Sequence, residues 1–183
     1  MGPACGLALR HRDAGLAQCP AVPSHVGAVP GHHNHLWFTP NTARPEPYLG
    51  QCAEFCGASH ANMMFKVFVD PQAGFDAWVK EQKAPVPPPD STTLAAKGLS
   101  LFQKGQCVAC HMIDGVSYGV VGPNLSKVAT RTTIAAGMFP NTPENLEAWI
   151  MDAPKHKPGS IMPNMNLSED DAKALAAFLQ TRR

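Results

Sequence analysis

The 183-residue sequence contains no apolar stretch that approaches the ~18 to 20 residues with which a helix crosses a bilayer. Met1 to Cys19 carry no basic leader, and charged residues interrupt the apolar ones there, so the pattern of a secretory signal peptide is absent as well. Charged residues make up only 16% of the chain, and the formal net charge is +1. A chain this close to neutral gives no electrostatic reason to expect nucleic acid or an anionic membrane surface as a partner.

Residues that bind metals are abundant, with six cysteines, eight histidines and eight methionines. Hydrophobic residues make up 44% of the chain, which is enough for a packed core and excludes wholesale disorder. The length allows one ordinary domain or two small ones. Four of the eighteen prolines lie between Pro85 and Pro89, and they indicate a boundary between two parts of the chain.

The first part is predicted to be mostly β. Residues 1–29 show neither helical nor strand periodicity, so we expect an irregular terminus there. After the turn signal Pro30-Gly31, His35 to Thr39 has the composition of a short strand. Met64 to Val69 alternates apolar and polar positions, as a half-buried strand does. A short amphipathic helix follows, with its apolar face formed by Phe75, Trp78, Val79 and Gln82.

The second part is predicted to be all-α. It begins after Ala84 to Asp90, whose prolines favour a semi-rigid polyproline II spacer. Asp90 or Ser91 is expected to cap a first helix, Thr142-Pro143 opens a second and Ser168 opens a third. The apolar faces of these helices comprise Leu94, Gly98, Leu101, Phe102, Leu146, Trp149, Ile150, Ala172, Leu175, Ala176 and Leu179.

Cys107-Val-Ala-Cys110-His111 has the C-x-x-C-H spacing of covalent haem c attachment. Two thiols at this spacing can each add to one vinyl group of a porphyrin, and the adjacent histidine then reaches one axial face of the iron. The alternatives are a disulfide or half of a zinc site, but zinc needs a second ligand pair and this half of the chain has no other cysteine.

A sixth iron ligand is expected from the segment before the last helix. Met162, in the Pro- and Gly-constrained loop Lys157 to Pro163, is the candidate, and Met165 is its rival. A thioether ligand stabilises reduced iron and raises its potential. With both axial positions filled, no position is open to a substrate, which indicates an electron carrier rather than a catalyst.

Residues 91–183 resemble the class I cytochrome c family. The matching features are Gly98 and Phe102, the Cys107 to His111 motif, Gly122-Pro123-Asn124-Leu125, Met162-Pro163 and the final helix. The resemblance implies that the carbonyl of Pro123 accepts a hydrogen bond from the ligand histidine, which fixes its tautomer. It also implies that the terminal helices cross near Gly98, Phe102, Phe178 and Leu179. Whether Arg131 and Trp149 contact the haem propionates stays open.

A second cluster of soft ligands lies between Gly50 and Met63. Cys52 and Cys56 are four residues apart, and His60 and Met63 follow in the same short segment. Thiolate, imidazole and thioether groups together suit copper. A zinc site of Cys52, Cys56 and His60 would leave Met63 unused, and a disulfide between the two cysteines is a further alternative.

Pro30 to Val69 resembles the CuA loop and flanking strands of subunit II of haem–copper oxidases. Pro-Gly-x-x-Asn, Gly-Gln-Cys-x-Glu-x-Cys-Gly and His-x-x-Met occur in the family's order and spacing. The resemblance implies a cupredoxin-like fold with a binuclear copper centre. Its ligands would be the bridging thiolates of Cys52 and Cys56, the side chains of His60 and Met63, and the backbone carbonyl of Glu54.

One ligand of that family has no counterpart in this sequence. Alignment at Pro30-Gly31 would place a further histidine around Gly15 to Ala17, where there is none. The histidines that could replace it are His11, His25, His32, His33 and His35. We therefore expect an incomplete copper site, and an N-terminally truncated or frame-shifted chain in which residues 1–29 are a candidate out-of-frame segment.

The two resemblances predict four parts: an irregular terminus at 1–29, a partial CuA cupredoxin-like domain at 30–82, a Pro-rich linker at 83–90 and an all-α cytochrome c domain at 91–183. This combination resembles subunit II of bacterial terminal oxidases that carry haem c. The resemblance implies a proton-translocating oxidoreductase in which this chain relays electrons and does not itself reduce oxygen. Electrons would pass from a cytochrome c or membrane donor through haem c and CuA to subunit I.

The resemblance also implies a location at the periplasmic or outer face of the bacterial membrane, beside subunit I and other oxidase subunits. Membrane association would come through a segment absent from this sequence. Three alternatives stay open: a CuA subunit of a nitric oxide reductase, a soluble haem c electron carrier with a vestigial copper loop, and a non-functional truncated product.

Overall fold

The computed structural model describes residues 42–183, the strands at Cys5–Leu9 and His25–Ala28, and the single residues Gly31, His33 and Pro40. The chain forms two compact units, Met1–Val79 with Ala136–Met138, and Lys80–Ala135 with Phe139–Arg183. Each unit is described by itself. None of the helices among the described residues has both the length and the apolar character needed to span a membrane.

The first unit contains an antiparallel sheet of four strands in the order β2-β1-β3-β4. The strands are β1 Cys5–Leu9, β2 His25–Ala28, β3 Arg44–Cys52 and β4 Met64–Val69. The register of β3 on β4 shifts between Arg44 and Tyr48, where Pro45 and Pro47 have no amide hydrogen to offer the ladder. Beyond this irregularity the pairing is regular, from Tyr48↔Val67 to Gln51↔Met64.

The N-terminal part differs from the irregular terminus that the sequence predicts. Cys5–Leu9 pairs with His25–Ala28, and Leu7 also pairs with Cys52 on β3. Small residues and glycine give these strands no period-two signal, so their pairing with β3 could not be seen in local sequence. The strand predicted at His35 to Thr39 lies outside the described residues.

The strand predicted from Met64 to Val69 and the following helix are both confirmed. The helix is α1, Gln72–Lys83, and the boundary between the two units falls within its residues. None of its residues is fully buried, and of its expected apolar face only Val79 and Gln82 are partly buried. Phe75 and Trp78 are about half exposed, and their ring centres lie 5.8 Å apart.

The second unit is mainly helical, as the sequence predicts, and it also contains two short strand pairs that the sequence does not indicate. Its helices are α2 Leu94–Lys104, α3 Cys107–Cys110, α4 Pro143–Met151, α5 Ala153–His156 and α6 Glu169–Gln180. Between them lie two short antiparallel pairs, β5 Met112–Ile113 with β6 Ser117–Tyr118, and β7 Thr133–Ile134 with β8 Phe139–Pro140. Two-residue pairs follow from tight loops, which helical periodicity does not reveal.

Helix α2 packs on α6, as the resemblance implies. A Cβ atom at Gly98 would overlap the backbone carbonyl of Ala174, so only glycine allows this close approach. The rings of Phe102 and Phe178 lie 5.7 Å apart, and both side chains are buried. The core around this crossing consists of Phe102, Ile113, Val128, Ile134, Leu146, Ile150, Leu175, Ala176, Phe178 and Leu179. Leu94, expected to share this face, is exposed.

The helix caps agree with the sequence in two cases and differ in one. Thr142 and Ser168 accept hydrogen bonds from the amides of Asn145 and Asp171 at 3.3 and 3.2 Å, as N-cap residues do. Thr93, rather than Asp90 or Ser91, caps α2. Asp90 instead accepts bonds from the amide and hydroxyl of Thr92, and this local turn delays the start of the helix.

Candidate functional site

Four soft ligands of the first unit, Cys52, Cys56, His60 and Met63, lie at the end of β3 and in the connection to β4. Cys52 is the last residue of β3, and Met63 stands immediately before β4. The amide of Cys52 donates to the carbonyl of Met63 at 2.9 Å, which closes the loop at its base. His60 begins a short 3-10 turn within this loop. The antiparallel pairing of β3 with β4 thus brings Cys52 and Met63 together, although they are eleven positions apart in the sequence.

All five ligand groups implied by the resemblance lie close together. Cys52 Sγ is 3.5 Å from Cys56 Sγ and 3.1 Å from the carbonyl oxygen of Glu54. Cys56 Sγ is 3.7 Å from His60 Nδ1 and 3.8 Å from Met63 Sδ. Such an arrangement of two thiols, an imidazole, a thioether and a carbonyl fits copper in its donor chemistry.

The same distances bear on the two alternative interpretations of this cluster, a disulfide and a zinc site. Sulfur atoms separated by 3.5 Å are not covalently joined, so Cys52 and Cys56 form no disulfide. Their sulfurs and a ring nitrogen of His60 lie within 4.8 Å of one another, a trio that zinc would also accept. The thioether of Met63 beside Cys56 favours copper over zinc, since zinc sites rarely use methionine.

Two glycines shape the copper-type loop. A Cβ atom at Gly50 would overlap the ring of Phe65 on the neighbouring strand, so the ring can cover β3 only because this residue is glycine. Gly57 has a φ of +129°, in the region that favours glycine, and its carbonyl accepts from the amide of His60 at 3.0 Å. The side chain of Phe55 is 67% exposed, and its ring lies 5.8 Å from that of His60.

No second histidine joins the cluster within the part of the chain that the structure describes. His33 is exposed and does not belong to the Cys52, Cys56 and His60 group. His11, His32 and His35 lie outside the described residues, and only the backbone of His25 is described.

The C-x-x-C-H motif of the second unit forms one helical turn. Helix α3 contains both cysteines, and His111 follows as its C-cap, with its amide donating to the carbonyl of Cys107 at 2.9 Å. The i,i+3 spacing puts both thiols on one side of the turn, and no disulfide joins them. Burial raises the pKa of the Cys107 thiol, so this thiol is protonated near neutral pH.

The imidazole of His111 is held by the carbonyl that the resemblance implies. His111 Nδ1 lies 2.9 Å from the carbonyl oxygen of Pro123. A carbonyl only accepts, so Nδ1 carries the proton and Nε2 keeps its lone pair for a metal. A Cβ atom at Gly122 would lie 2.6 Å from Cε1 of the ring, so glycine lets this loop lie against the imidazole.

The structure describes the surroundings of three methionines that lie near the motif or in the segment before α6. Met162 and Met165 are both half-buried in the segment between α5 and α6, so burial does not separate them. Met112, next to the motif, accepts a hydrogen bond at its sulfur from the side-chain amide of Asn124 at 3.2 Å. Met162 stays the predicted sixth ligand.

Arg131 and Trp149 contact other parts of the second unit. Arg131 donates to the backbone carbonyl of Asn124 at 2.6 Å, and Trp149 packs against the hydrophobic core. Sequence reasoning missed two buried serines in the same region, Ser117 and Ser126, which bind backbone groups of the loop after His111. Serine is too common in loops for its position alone to have revealed them.

Two protein-family models match the chain. The model described as "Cytochrome C oxidase subunit II, periplasmic domain" matches residues 15–69, and the model described as "Cytochrome c" matches residues 95–183. The first match begins inside the segment at 1–29 for which the sequence predicted no regular structure. A cytochrome c domain implies haem c, and a subunit II domain implies copper.

Three bacterial relatives cover both halves of the chain, and each is called cytochrome c oxidase subunit 2. The protein of Alkalihalophilus pseudofirmus is 39% identical over 163 residues, which is 88% of this chain and 46% of the relative. Those of Bacillus sp. PS3 and Bacillus subtilis are 31% identical over 172 and 171 residues, again 88% of this chain and 48% of each relative. The chain therefore spans about half the length of the curated relatives it matches.

Proposed function

Because this chain joins a segment of the cytochrome c oxidase subunit II periplasmic-domain family to a cytochrome c domain, we propose that it is an electron-transfer subunit of a haem–copper oxidase. It passes electrons from a cytochrome c or another donor, through covalent haem c and a CuA-type copper site, to subunit I. The observation that carries the proposal is the gathering of the Cys52 thiol, the His60 imidazole and the Met63 thioether around the Cys56 thiol, in a chain that also contains the C-x-x-C-H turn. Oxygen is reduced in subunit I and not here.

In the cytochrome domain, Cys107 and Cys110 would hold the haem through thioether bonds. His111 would be one iron ligand, because the Pro123 carbonyl keeps the proton on Nδ1 and leaves the lone pair of Nε2 free. Met162 would be the other protein ligand of the iron. Bound haem c would supply a one-electron couple.

In the copper-type domain, copper would be held by the thiolates of Cys52 and Cys56, the side chains of His60 and Met63, and the carbonyl of Glu54. Bound copper would supply a second one-electron couple. The hairpin between β3 and β4 holds the donors at fixed distances, and the amide of Cys52 on the carbonyl of Met63 closes it. Ligands held by such a closed hairpin would need to move little when the metal changes oxidation state, which would favour fast electron transfer.

The location follows from the same family. The subunit II match is to a periplasmic domain, which suggests a periplasmic or extracellular location. We infer that the domain faces the periplasm or the outer side of a bacterial membrane, where it meets subunit I and the other subunits of the oxidase. Membrane attachment of the complex would come through those subunits and through a segment outside the described residues.

A soluble haem c electron carrier with a vestigial copper loop is the second candidate. The observation in its favour is the copper cluster, which has one histidine among the described residues where the family has two. The cytochrome unit, by contrast, has its attachment turn and a supported axial histidine. A CuA subunit of a nitric oxide reductase would use the same donors, and the identity of the neighbouring catalytic subunit distinguishes it from an oxidase.

Metal content and electron transfer test these candidates together. The full chain is produced in an export-competent host with haem-attachment machinery, and haem and copper per chain are measured. We expect one covalent haem, and copper below the two ions of a complete CuA centre. After rapid reduction of the haem, an oxidase subunit should pass the electron to copper, whereas Cys56→Ser should hold it on the haem. A wild-type chain that keeps the electron on haem would favour the soluble carrier, and a chain without covalent haem would contradict both.

A further inference from the structure

Ser117 is a buried serine whose hydroxyl group binds the backbone on both sides of Met112. It is 4% exposed and lies on β6, directly opposite Ile113 of β5. Its Oγ accepts from the amide of Ile113 at 3.1 Å and donates to the carbonyl of His111 at 2.7 Å. Because the amide occupies the acceptor side of the hydroxyl, the hydroxyl proton is directed at His111. The Ser117 side chain therefore fixes the peptide group between His111 and Met112.

Two hydrogen bonds join His111 to backbone carbonyls, and the bond from Ser117 comes from a side chain. Its amide donates to the carbonyl of Cys107 at 2.9 Å, and its ring Nδ1 bonds the carbonyl of Pro123 at 2.9 Å. Both of these acceptors are backbone groups, which a substitution leaves in place. The bond from Ser117 to the carbonyl of His111 is made by a side chain, so a single substitution can remove it without changing either of the others.

The position of the imidazole depends on the backbone at this point. His111 ends the helical turn and leaves it with an extended ψ of 136°. The next carbonyl along the chain, that of Met112, accepts from the amide of Leu125 at 2.8 Å, in the loop that also contains Pro123. A rotation of the peptide after His111 would therefore move the ring and the Pro123 carbonyl relative to each other, because both are anchored to this short connection.

We propose that Ser117 is a positioning residue for the iron-ligating histidine: its hydroxyl group fixes the peptide that follows His111 and so keeps the ring aligned with the carbonyl of Pro123. The inference rests on the proposed role of His111 as an axial ligand. Ser117 acts through His111, because its hydroxyl group bonds only backbone groups of His111 and Ile113. Without it, the hydrogen bond from Nδ1 to Pro123 lengthens, the imidazole becomes a weaker donor, and oxidised iron is stabilised less.

The test compares two buried serines in the full, haem-bearing chain. Ser117→Ala removes the proposed bond, and Ser126→Ala is the matched control. Ser126 is 5% exposed, and its Oγ accepts from the amide of Asp114 at 2.8 Å. In the reduced protein, the solvent exchange rate of the His111 Nδ1 proton is measured by NMR, and the reduction potential is measured by titration. Neither measurement depends on oxidase activity.

We expect Ser117→Ala to speed exchange of that proton at least tenfold and to raise the reduction potential. Ser117→Thr, which retains a hydroxyl, should restore both values, and Ser126→Ala should change neither. If Ser117→Ala does not fold, Ser117→Cys, a weaker donor of similar size, should give an intermediate exchange rate. Wild-type exchange and potential in a folded Ser117→Ala or Ser117→Cys chain would overturn the proposal, as would equal effects from Ser126→Ala. Absence of covalent haem from the unsubstituted chain would instead overturn the proposed function on which it rests.

Discussion

Arg182 donates a hydrogen bond of 2.8 Å from Nη2 to the carbonyl oxygen of Pro87 and so joins the end of the chain to its proline-rich segment. The same guanidinium lies 4.8 Å from the centre of the Phe178 ring and also donates to the hydroxyl of Thr181. Arg182 is only 2% exposed. The hydrogen bond from Arg182 therefore fixes the proline-rich segment at Pro87, in addition to the stiffness of the consecutive prolines.

Replacing this arginine should loosen the proline-rich segment. Arg182→Ala removes a buried hydrogen bond from a charged group and should lower the free energy of unfolding by about 2 kcal/mol. It should also speed tryptic cleavage after Lys83, an exposed residue just before the prolines. Urea denaturation and timed proteolysis measure the two effects. Arg183→Ala is the matched control, and equal effects from both variants would contradict a specific role for Arg182.

The sixth ligand can be assigned by spectroscopy. Met162→Ala should abolish the absorption band of a thioether–iron bond in the oxidised protein and lower the reduction potential, because a thioether favours reduced iron. Met165→Ala, in the same segment and equally half-buried, should retain the band. Visible absorption spectra of the two haem-bearing variants distinguish Met162 from Met165 as the sixth iron ligand. Loss of the band in Met165→Ala, with retention in Met162→Ala, would reverse the assignment.

Cys56→Ser should weaken copper binding, whereas Glu54→Gln should leave it unchanged. Cys56 Sγ lies within 3.8 Å of the sulfur or nitrogen donors of Cys52, His60 and Met63, so Cys56→Ser should remove copper–thiolate absorption and weaken copper binding at least tenfold.

Glu54 is the control for this prediction, since it is proposed to contribute only its backbone carbonyl. Glu54→Gln should leave copper per chain, measured by atomic absorption, as it is in the wild type. A loss of copper in Glu54→Gln would show that the carboxylate itself is a ligand.

Low pH should weaken the contact between helices α2 and α6 of the second unit. Lys97 and Asp171 form an ion pair of 2.8 Å between α2 and α6, and hydrogen bonds from Lys97 and Ser168 lower the pKa of Asp171. A carboxyl whose pKa is lower in the folded state stabilises the fold above its unfolded pKa of about 3.9. That contribution is lost as the pH falls through the lower, folded-state pKa.

The difference in unfolding free energy between wild type and Asp171→Asn should therefore be constant above about pH 5 and shrink at lower pH. Urea denaturation at a series of pH values measures it. Asp170→Asn removes the same charge one residue earlier and serves as the control. A difference that did not change with pH would mean that the ion pair with Lys97 contributes nothing through ionisation.

Local sequence was sufficient for the features that depend on spacing within a few residues. The haem-attachment turn follows from Cys107, Cys110 and His111, and the copper-type loop follows from the residues between Cys52 and Met63. The strand from Met64 to Val69 and the caps at Thr142 and Ser168 were equally visible. In each case the interacting groups are neighbours along the chain, so periodicity and capping chemistry are enough to reveal them.

Contacts between distant residues were decided only by the folded chain. Arg182 and Pro87 are 95 positions apart, and the pairing of Leu7 with Cys52 joins a strand that has no period-two pattern to the edge of the copper-type loop. Ser117 is a common residue whose role becomes visible only when β6 is laid against β5. The sequence thus determined which candidate ligand groups the chain carries, whereas the tertiary structure decided which backbone carbonyls and hydroxyls contact them. Backbone groups are the same at every residue, so only folding selects among them.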